Sequence, residues 1–469
     1  MADVTFQRKD HEKACKVWTL INDACEGQVA VKDGQEKYLP KPKLYTDDEY
    51  TQYILRAIYY NTPGRTLDIS VGAAFKKKGT LETKLKNIDV DVDGAGVTIY
   101  QQSQAVSEAV MKTGRHCLFT DYPVIDQKLS KADQDKLNIK PKIIEIDACR
   151  VKNWRFDVAN GLLRLALVTI QESVEETTAD GFGIDIIEQY RALKLVDGQY
   201  IQELWQKGGD NHDGAWELKE TLYPTDGSGN AWDVIPFTFV GSKNNDADID
   251  KAPMFDLAVL AIAHYRNSAD YQESCFLVGQ PQVTMTGMTQ SWVDENYPDG
   301  IVFGSRSALT GPEGSSIGLL QVSPNSMAKE SMELLEKQMS TLGARLLTKG
   351  EAVKTATEAQ GDSESEHSVL SLVAENVSSA YTQHLRWCER YMKMNEEAEY
   401  KINTDFLSAK LDAATLQIYM GMVQAGKMPE SDFFELLRKA GAVDTEKTDE
   451  AIKEELGSQS SGLALDDVA

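Results

Sequence analysis

Residues 326–392 read SMAKESMELLEKQMSTLGARLLTK, then GEAVKTATEAQGDSESEHS, then VLSLVAENVSSAYTQHLRWCERYM. The outer stretches carry apolar residues at helical spacing, with Met327, Leu334, Leu335, Met339, Leu342 and Leu346 on one stripe of the first, and predict two long helices. The segment between them is small, polar and acidic. Its lysines are Lys354 and, at its leading edge, Lys349, set among Glu351, Glu358, Asp362, Glu364 and Glu366. Such a run is by default a solvated loop. A globular core has little use for a long helical arm broken in this way, so the stretch reads as part of a machine.

Working outward, Asp246, Asp248 and Asp250 ahead of Pro253 suit a helix start, because acids favour the positive end of the helix dipole and proline tolerates the first turn. The following MFDLAVLAIAHYRNSADYQESCFL predicts a helix of about 25 residues, roughly 37 Å long. Its first half is apolar nearly all round and its second half is polar. Residues 279–324 are rich in Gly, Ser, Thr and Pro and hold the short strand-like runs QVTMTG, GIVFG and IGLLQV, a small β insertion. Two long helices therefore enter and leave one β tip. Further upstream, YTQYILRAIYYNT and TLDISVG read as helices packed by Tyr53, Ile54, Ala57 and Ile58 and broken at Pro63 and Gly64. A helix around Val106–Thr113 leads into the buried strand CLFTDYPV. Residues 140–240 alternate β-branched and aromatic runs with turns such as Asp197-Gly198, a mainly β module. Downstream, EYKINTDF reads as a strand. ATLQIYMGMVQAGKMPESDFFELLRKAGAV reads as two short helices joined at Gly426–Pro429, and the extreme tail as a solvated, mobile, acidic segment.

The chain has 469 residues, enough for about three domains, and a formal charge of -24. That charge argues against a tight grip on phosphate, which gains its free energy from counterion release by Lys and Arg. An acidic protein can still handle DNA that must slide. Six scattered cysteines without a CxxC pair suit a reducing cytoplasm. The amino terminus lacks the apolar run of a signal peptide, and MFDLAVLAIA is too short to span a bilayer.

Candidate chemistry is sparse. Asp89, Asp91 and Asp93 before Gly94 imitate the start of a calcium loop, but Tyr100 stands where the bidentate Glu belongs, so an exposed strand edge and turn is expected and no metal. Gly314-Ser315-Ser316-Ile317-Gly318 fits G-x-S-x-G, yet a turn precedes it and a strand-like run follows, the reverse of a nucleophile elbow. A hydrolase using Ser316 is kept as the enzymatic alternative. The six histidines lack metal-ligand spacing, and His264 and His384 read as interior helix residues. Gly208–Gly214 reads as a hairpin tip. With no GxxxxGK[ST] and no GxGxxG after a strand, nucleotide hydrolysis has no seat, and no cofactor is expected.

The order of parts resembles the portal, or head-to-tail connector, proteins of tailed bacteriophages. It is closest to a portal-like branch labelled only as a domain of unknown function, through YILRAIYYNTPGRTL, VKNWRFDV, EQYRALKL and DLAVLAIAHYRNSADYQESCFLVGQP. The resemblance covers most of the chain and implies an α+β portal fold. Residues 1–250 and 369–410 would form the wing, 251–277 and 326–347 the stem helices, 278–325 the clip, 348–368 the tunnel loop, and 411–469 the crown helices and acidic tail. It implies a non-enzymatic homo-oligomeric ring, usually of twelve, at one capsid vertex of a virion assembled in the host cytoplasm. Double-stranded DNA would pass non-specifically through its axis during packaging and ejection. Partners would be the terminase motor, the head-to-tail adaptor, and the major capsid and scaffolding proteins, with no membrane. The tunnel-loop residues facing DNA would be Lys349, Glu351, Lys354, Thr355, Thr357, Glu358, Asp362, Glu364 and Glu366. Phe255, Val259, Ile262, Met327, Leu334, Met339 and Leu342 would meet neighbouring subunits, and the exposed aromatics Trp292 and Tyr297 would serve clip contacts. Another virion structural or adaptor protein is the second alternative.

Overall fold

The computed structural model describes residues 3–122, 140–159, 161–178, 180–208, 214–226, 228–279, 282–301, 309–320, 326–347, 368–404, 419–423, 425–439, 443 and 447–460. They form an α+β fold in two compact units, Met1–Ile402 and Asn403–Ala469.

The first unit opens with α1 (Lys9–Glu26), α2 (Gln28–Asp33), α3 (Asp47–Arg56) and α4 (Thr62–Ala74). Thr46 and Glu49 cap α3 reciprocally, satisfying donors that the first turn leaves free. The helix ends at Arg56, earlier than expected, and the chain then runs extended, with Ala57 at ψ 140°. Side chains therefore alternate: Ala57 and Tyr59 are buried, whereas Ile58 and Tyr60 are exposed. Ile58 is not the packing residue that helical spacing gave it, because the period there is two. Pro63 lies in the first turn of α4 and does not break a helix.

After β1 (Thr80–Glu82), α5 (Ile99–Thr113) starts upstream of the expected Val106, at a Thr98–Gln101 capping box. It stops at Gly114, whose left-handed φ of 73° turns the chain into β2 (Arg115–Asp121). A Cβ at Gly114 would also stand 2.9 Å from the Asp250 carbonyl. Then come β3 (Lys142–Ile146), β4 (Val151–Ala159), β5 (Leu162–Thr177), β6 (Ile184–Val196), β7 (Gln199–Lys207), β8 (Trp216–Leu222) and β9 (Phe237–Gly241). Strands β4 to β8 make an antiparallel meander in chain order, and β2 sits between β3 and β9 in a second antiparallel sheet. Asp197 and Gly198 both have positive φ in the tight β6–β7 turn, as a two-residue hairpin requires. Gly208 and Gly214 close the β7–β8 hairpin by a 2.8 Å backbone bond.

The long helix α6 (Phe255–Val278) leads to β10 (Gln282–Thr286), α7 (Gln290–Asn296) and β11 (Ser316–Leu320), and α8 (Met327–Leu347) returns. β10 and β11 pair antiparallel, which makes the insertion, among the described residues, a β hairpin with one short helix inside it; the expected strand GIVFG runs into 302–308, outside the described residues. Helix α9 (Val369–Tyr391) buries Leu370, Val373, Ala374, Val377, Ala380, Tyr381, His384, Leu385 and Cys388, a stripe spaced by three and four. It lies across α5 and the β3–β2–β9 sheet. The Tyr381 hydroxyl donates to Gln102 Oε1 at 3.0 Å, and Gln102 Nε2 donates to the Ile143 carbonyl at 2.9 Å. Strand β12 (Glu399–Lys401) pairs with β1. The β sheets share one core, in which Trp154, Val168, Leu193, Tyr200 and Trp232 meet Phe119, Phe237 and Phe239.

The second unit holds α10 (Glu430–Lys439) and α11 (Asp449–Ser460). Of the tail expected to be solvated and mobile, Asp449–Ser460 folds a further helix, tied to α10 by ion pairs of Arg438 with Asp449 and of Lys453 with Glu430; residues 461–469 lie outside the described residues.

Candidate functional site

Helices α6 and α8 pack antiparallel. His264 Nε2 lies 3.2 Å from Glu336 Oε1, and Asn267 Nδ2 donates to Ser331 Oγ at 2.8 Å. α6 buries Leu257, Ala258, Ala261, Ile262, Tyr265 and Ala269, and α8 buries Met339. The Tyr265 side of α6 turns to the α1–α4 layer, with its ring centroid 6.1 Å from that of Tyr59, while His264 and Asn267 face α8, so the first half of α6 reads as apolar nearly all round. Its second half is polar because it is bolted to α3. Tyr53 donates to Asp270 at 2.6 Å, Arg56 pairs with Glu273 at 2.5 Å, and Arg56 covers the Phe276 ring at 4.2 Å. Burial beside Asp270 pushes the Tyr53 hydroxyl well above its ordinary range, so it stays a donor. The pair is therefore a rigid arm anchored at the α1–α4 layer, where Arg266 also donates to the Tyr38 carbonyl at 2.7 Å.

The arm leaves two apolar grooves open. One, of about 460 Å³, is lined by Leu260 of α6 and by Leu334, Lys337, Gln338, Thr341 and Leu342 of α8. The other, of about 490 Å³, lies where Glu336, Met339, Ser340, Gly343 and Ala344 of α8 face Tyr60, Arg65, Thr66 and Ile69. The two α8 rows are offset by two residues, about 200° around the helix, so the grooves lie on opposed faces. The rims expose Leu334 at 58 %, Ile69 at 62 % and Tyr60 at 51 %.

Single-stripe packing of α8 is accordingly corrected. Met339 lies five residues past Leu334, about 140° beyond a full turn, and is 0 % exposed where Leu334 is 58 %. Ile262 and Met339 are buried inside the chain and have no area left for another copy. Met327, Leu334 and Val259 are exposed, and Phe255 and Leu342 are half-buried. Trp292 and Tyr297 are not exposed as expected. They are half-buried with ring centroids 5.9 Å apart, and the Tyr297 hydroxyl donates to the Thr310 carbonyl at 2.9 Å. The tunnel-loop residues Lys349, Glu351, Lys354, Thr355, Thr357, Glu358, Asp362, Glu364 and Glu366 lie outside the described residues. Sequence reading missed Tyr60, Arg65, Thr66 and Ile69. The signal was there for Ile69, which sits two residues from both Leu67 and Val71 and so on the opposite side of α4.

The other motifs take structural places. Asp91 accepts from the Gly94 and Gly96 amides at 2.7 and 3.0 Å and pairs with Lys140 at 2.7 Å, so an ammonium occupies the place a cation would take. The segment is all turn, with no strand edge. Among the described residues, no group of three or more His, Cys, Asp or Glu could hold a metal ion. Ser316 begins β11, opposite Thr286 in the ladder, a flat strand and not the strained turn an elbow needs. Among the described residues no helix is long and apolar enough to cross a membrane.

A family model described as a domain of unknown function, DUF4055, matches residues 253–392, which run from the start of α6 to the end of α9. No curated protein matches. Among solved structures, the chain is similar to one from the virion of a native gene transfer agent particle, with a TM-score of 0.40 and 13 % identity over 87 % of this chain and 98 % of that one. A chain from the neck of the empty particle, computed with C6 symmetry, gives a TM-score of 0.41 and 12 % identity over 86 % and 98 %.

Proposed function

We propose that the chain is the protomer of a portal ring, a non-enzymatic virion component at one capsid vertex. The ring serves as a double-stranded DNA channel and as the platform for packaging motor and head-to-tail adaptor. The observation that carries the reading is the anchored α6–α8 arm, ending in a β tip and bearing an apolar groove on each of two opposed faces. Two different faces that fit one another associate head to tail, and head-to-tail association closes into a ring when the rotation allows. In this reading α6 and α8 are the stem, residues 278–325 the clip, 1–250 and 369–410 the wing, 348–368 the loop toward DNA and 411–469 the crown. The acidic charge keeps contact with phosphate weak and salt-sensitive, as a sliding polymer needs. The DUF4055 match, residues 253–392, takes in one of the four blocks on which the resemblance to portal-like proteins rests, DLAVLAIAHYRNSADYQESCFLVGQP. Electron microscopy of the purified chain is expected to show rings with an axial hole, twelve subunits being the expected count. A species that remains monomeric at high concentration overturns the reading.

A further inference from the structure

We propose that the hairpin made by the far ends of β5 and β6 docks on the lysine cluster at residues 76–86 of a second copy of the chain. This contact rests on the ring reading above and adds to it a meeting of surfaces away from the α6–α8 arm. Strand β4 pairs with β5 no further than Ile170, and β7 with β6 no further than Gln189. β5 and β6 go on pairing with each other, from Ser173 opposite Glu188 to Thr177 opposite Ile184. This end of the sheet is therefore a two-stranded ribbon about 17 Å long, a form that is marginally stable in water by itself. Its turn is set, because the Phe182 amide donates to Asp180 Oδ1 at 3.1 Å and the Gly183 amide to Thr178 Oγ1 at 2.8 Å. Phe182 stands 95 % exposed, with Ile184 at 60 % and Ile186 at 69 % on one face of β6. Residues 173–188 also carry Glu175, Glu176, Asp180, Asp185 and Glu188 and no Lys or Arg. Apolar side chains gathered on a tip and rimmed by acids mark a contact surface.

The receiving surface has the opposite sign. Residues 76–86, KKKGTLETKLK, carry Lys76, Lys77, Lys78, Lys84 and Lys86 against Glu82 alone, in a chain of charge -24. All five lysines are exposed, and the half-buried Leu81 and Leu85 give the segment apolar surface for an apolar tip. The segment is firmly held: β1 pairs with β12, and the buried Glu389 accepts from Thr83 Oγ1 at 2.9 Å and from the Glu397 and Ala398 amides at 2.8 and 2.9 Å. A surface fixed in advance loses little freedom on binding.

Lys84 pairs with Glu397 at 2.6 Å, and Lys78 covers the Tyr100 ring at 4.0 Å. Lys76, Lys77 and Lys86 have no ion-pair partner among the described residues, and neither have Glu175, Glu176 and Asp185. Copies of so acidic a chain repel one another, so a contact between them is favoured where the two signs meet. The hairpin and the cluster are different surfaces, and each copy brings one of each, so the contact runs head to tail. Exposed ion pairs are individually weak. The contact therefore tightens an assembly held at the α6–α8 arm and does not hold two copies by itself.

Zero-length carbodiimide cross-linking of the full-length protein, assembled from equal amounts of ordinary and heavy-isotope chains, tests this by peptide mass. The expected product joins a lysine of 76–86 to an acid of 173–188, with the two peptides drawn from differently labelled copies. Lys76→Glu, Lys77→Glu and Lys86→Glu together should abolish it and raise the concentration for half-assembly about tenfold, the loss of a few exposed pairs. Glu175→Lys, Glu176→Lys and Asp185→Lys together should do the same. All six changes in one chain should restore both readouts, which a merely damaged fold would not. Rings that form without the cross-link, or a six-change chain no better than its parents, overturn this contact and leave the ring reading standing. A chain that stays monomeric overturns both. A lysine variant that assembles normally but loses salt-sensitive binding of duplex DNA assigns the cluster to phosphate and also overturns the contact.

Discussion

Two buried side chains show how single residues report on the core. His384 of α9 bonds Thr120 Oγ1 through Nδ1 at 2.7 Å, while Nε2 has no partner. Burial lowers its imidazole from 6.5 to about 3. Between those values the unfolded chain binds a proton that the native one refuses. The stability that neutral His384 contributes is therefore intact above pH 6.5 and is lost below it, by up to about 1.4 kcal/mol per pH unit. His384→Gln keeps a partner for Thr120 and removes the titration, so urea midpoints of the two proteins should converge or cross from pH 7 to pH 4.5; parallel curves would refute the account. Arg115 poses the opposite problem. Its guanidinium lies 4.3 Å from the Trp154 ring and 3.9 Å from that of Phe239, and neither terminal nitrogen has a hydrogen-bond partner. A buried charge whose terminal nitrogens lie against ring faces carries a desolvation cost that an apolar isostere avoids. Arg115→Met should leave the urea midpoint unchanged or raise it, whereas Arg115→Ala should cost about 2–4 kcal/mol through the cavity alone. The place of His384 was legible from helical spacing. Arg115 was not, since RHCLFTD gives no sign that its first residue turns into the core.

At the scale of elements, pattern and structure agree wherever one period rules. Helices α6 and α9 and the Asp197-Gly198 hairpin were readable because burial on one face, or a turn that demands positive φ, leaves a local trace. Strand β4 passed as a descriptive block, VKNWRFDV, because its Trp and Phe face the core across an irregular register, with shifts at Val151/Asn153 and Arg155/Phe156. Helix α8 misled because it has two working faces, and a list of apolar residues does not say which face each one takes. The faces separate by substitution. Met339→Ala should lower stability by about 2–4 kcal/mol, in the range of large-to-small changes at closed sites. Leu334→Ala should stay within about 0.5 kcal/mol, as exposed positions do. Equal losses in urea unfolding of the unassembled chain would place both residues in one interior.

What the whole molecule does depends on how its faces meet, and tertiary contact between distant segments leaves no mark in any window of sequence: Ile69 and Ala344 share a groove that neither helix announces. The order of elements was legible at this scale, and the grooves were not. If the groove at Leu334 receives the face at Ile69 of the next copy, the two surfaces are different and each subunit uses both once. Leu334→Asp blocks one face and Ile69→Asp the other, and a carboxylate at either exposed rim leaves the fold of the chain alone while making burial there costly. Each variant by itself should remain monomeric, because a head-to-tail contact needs one intact face of each kind on adjoining subunits. Mixed in equal amounts, the two have a single compatible contact, the intact Leu334 face of one against the intact Ile69 face of the other. Sedimentation of the mixture should therefore show a one-to-one dimer and nothing larger. An isologous contact, in which one face meets its own copy, predicts instead that one of the variants dimerises alone and that mixing adds nothing. Wild-type rings, two monomeric variants and a mixed dimer together would fit only a heterologous interface through the α6–α8 arm.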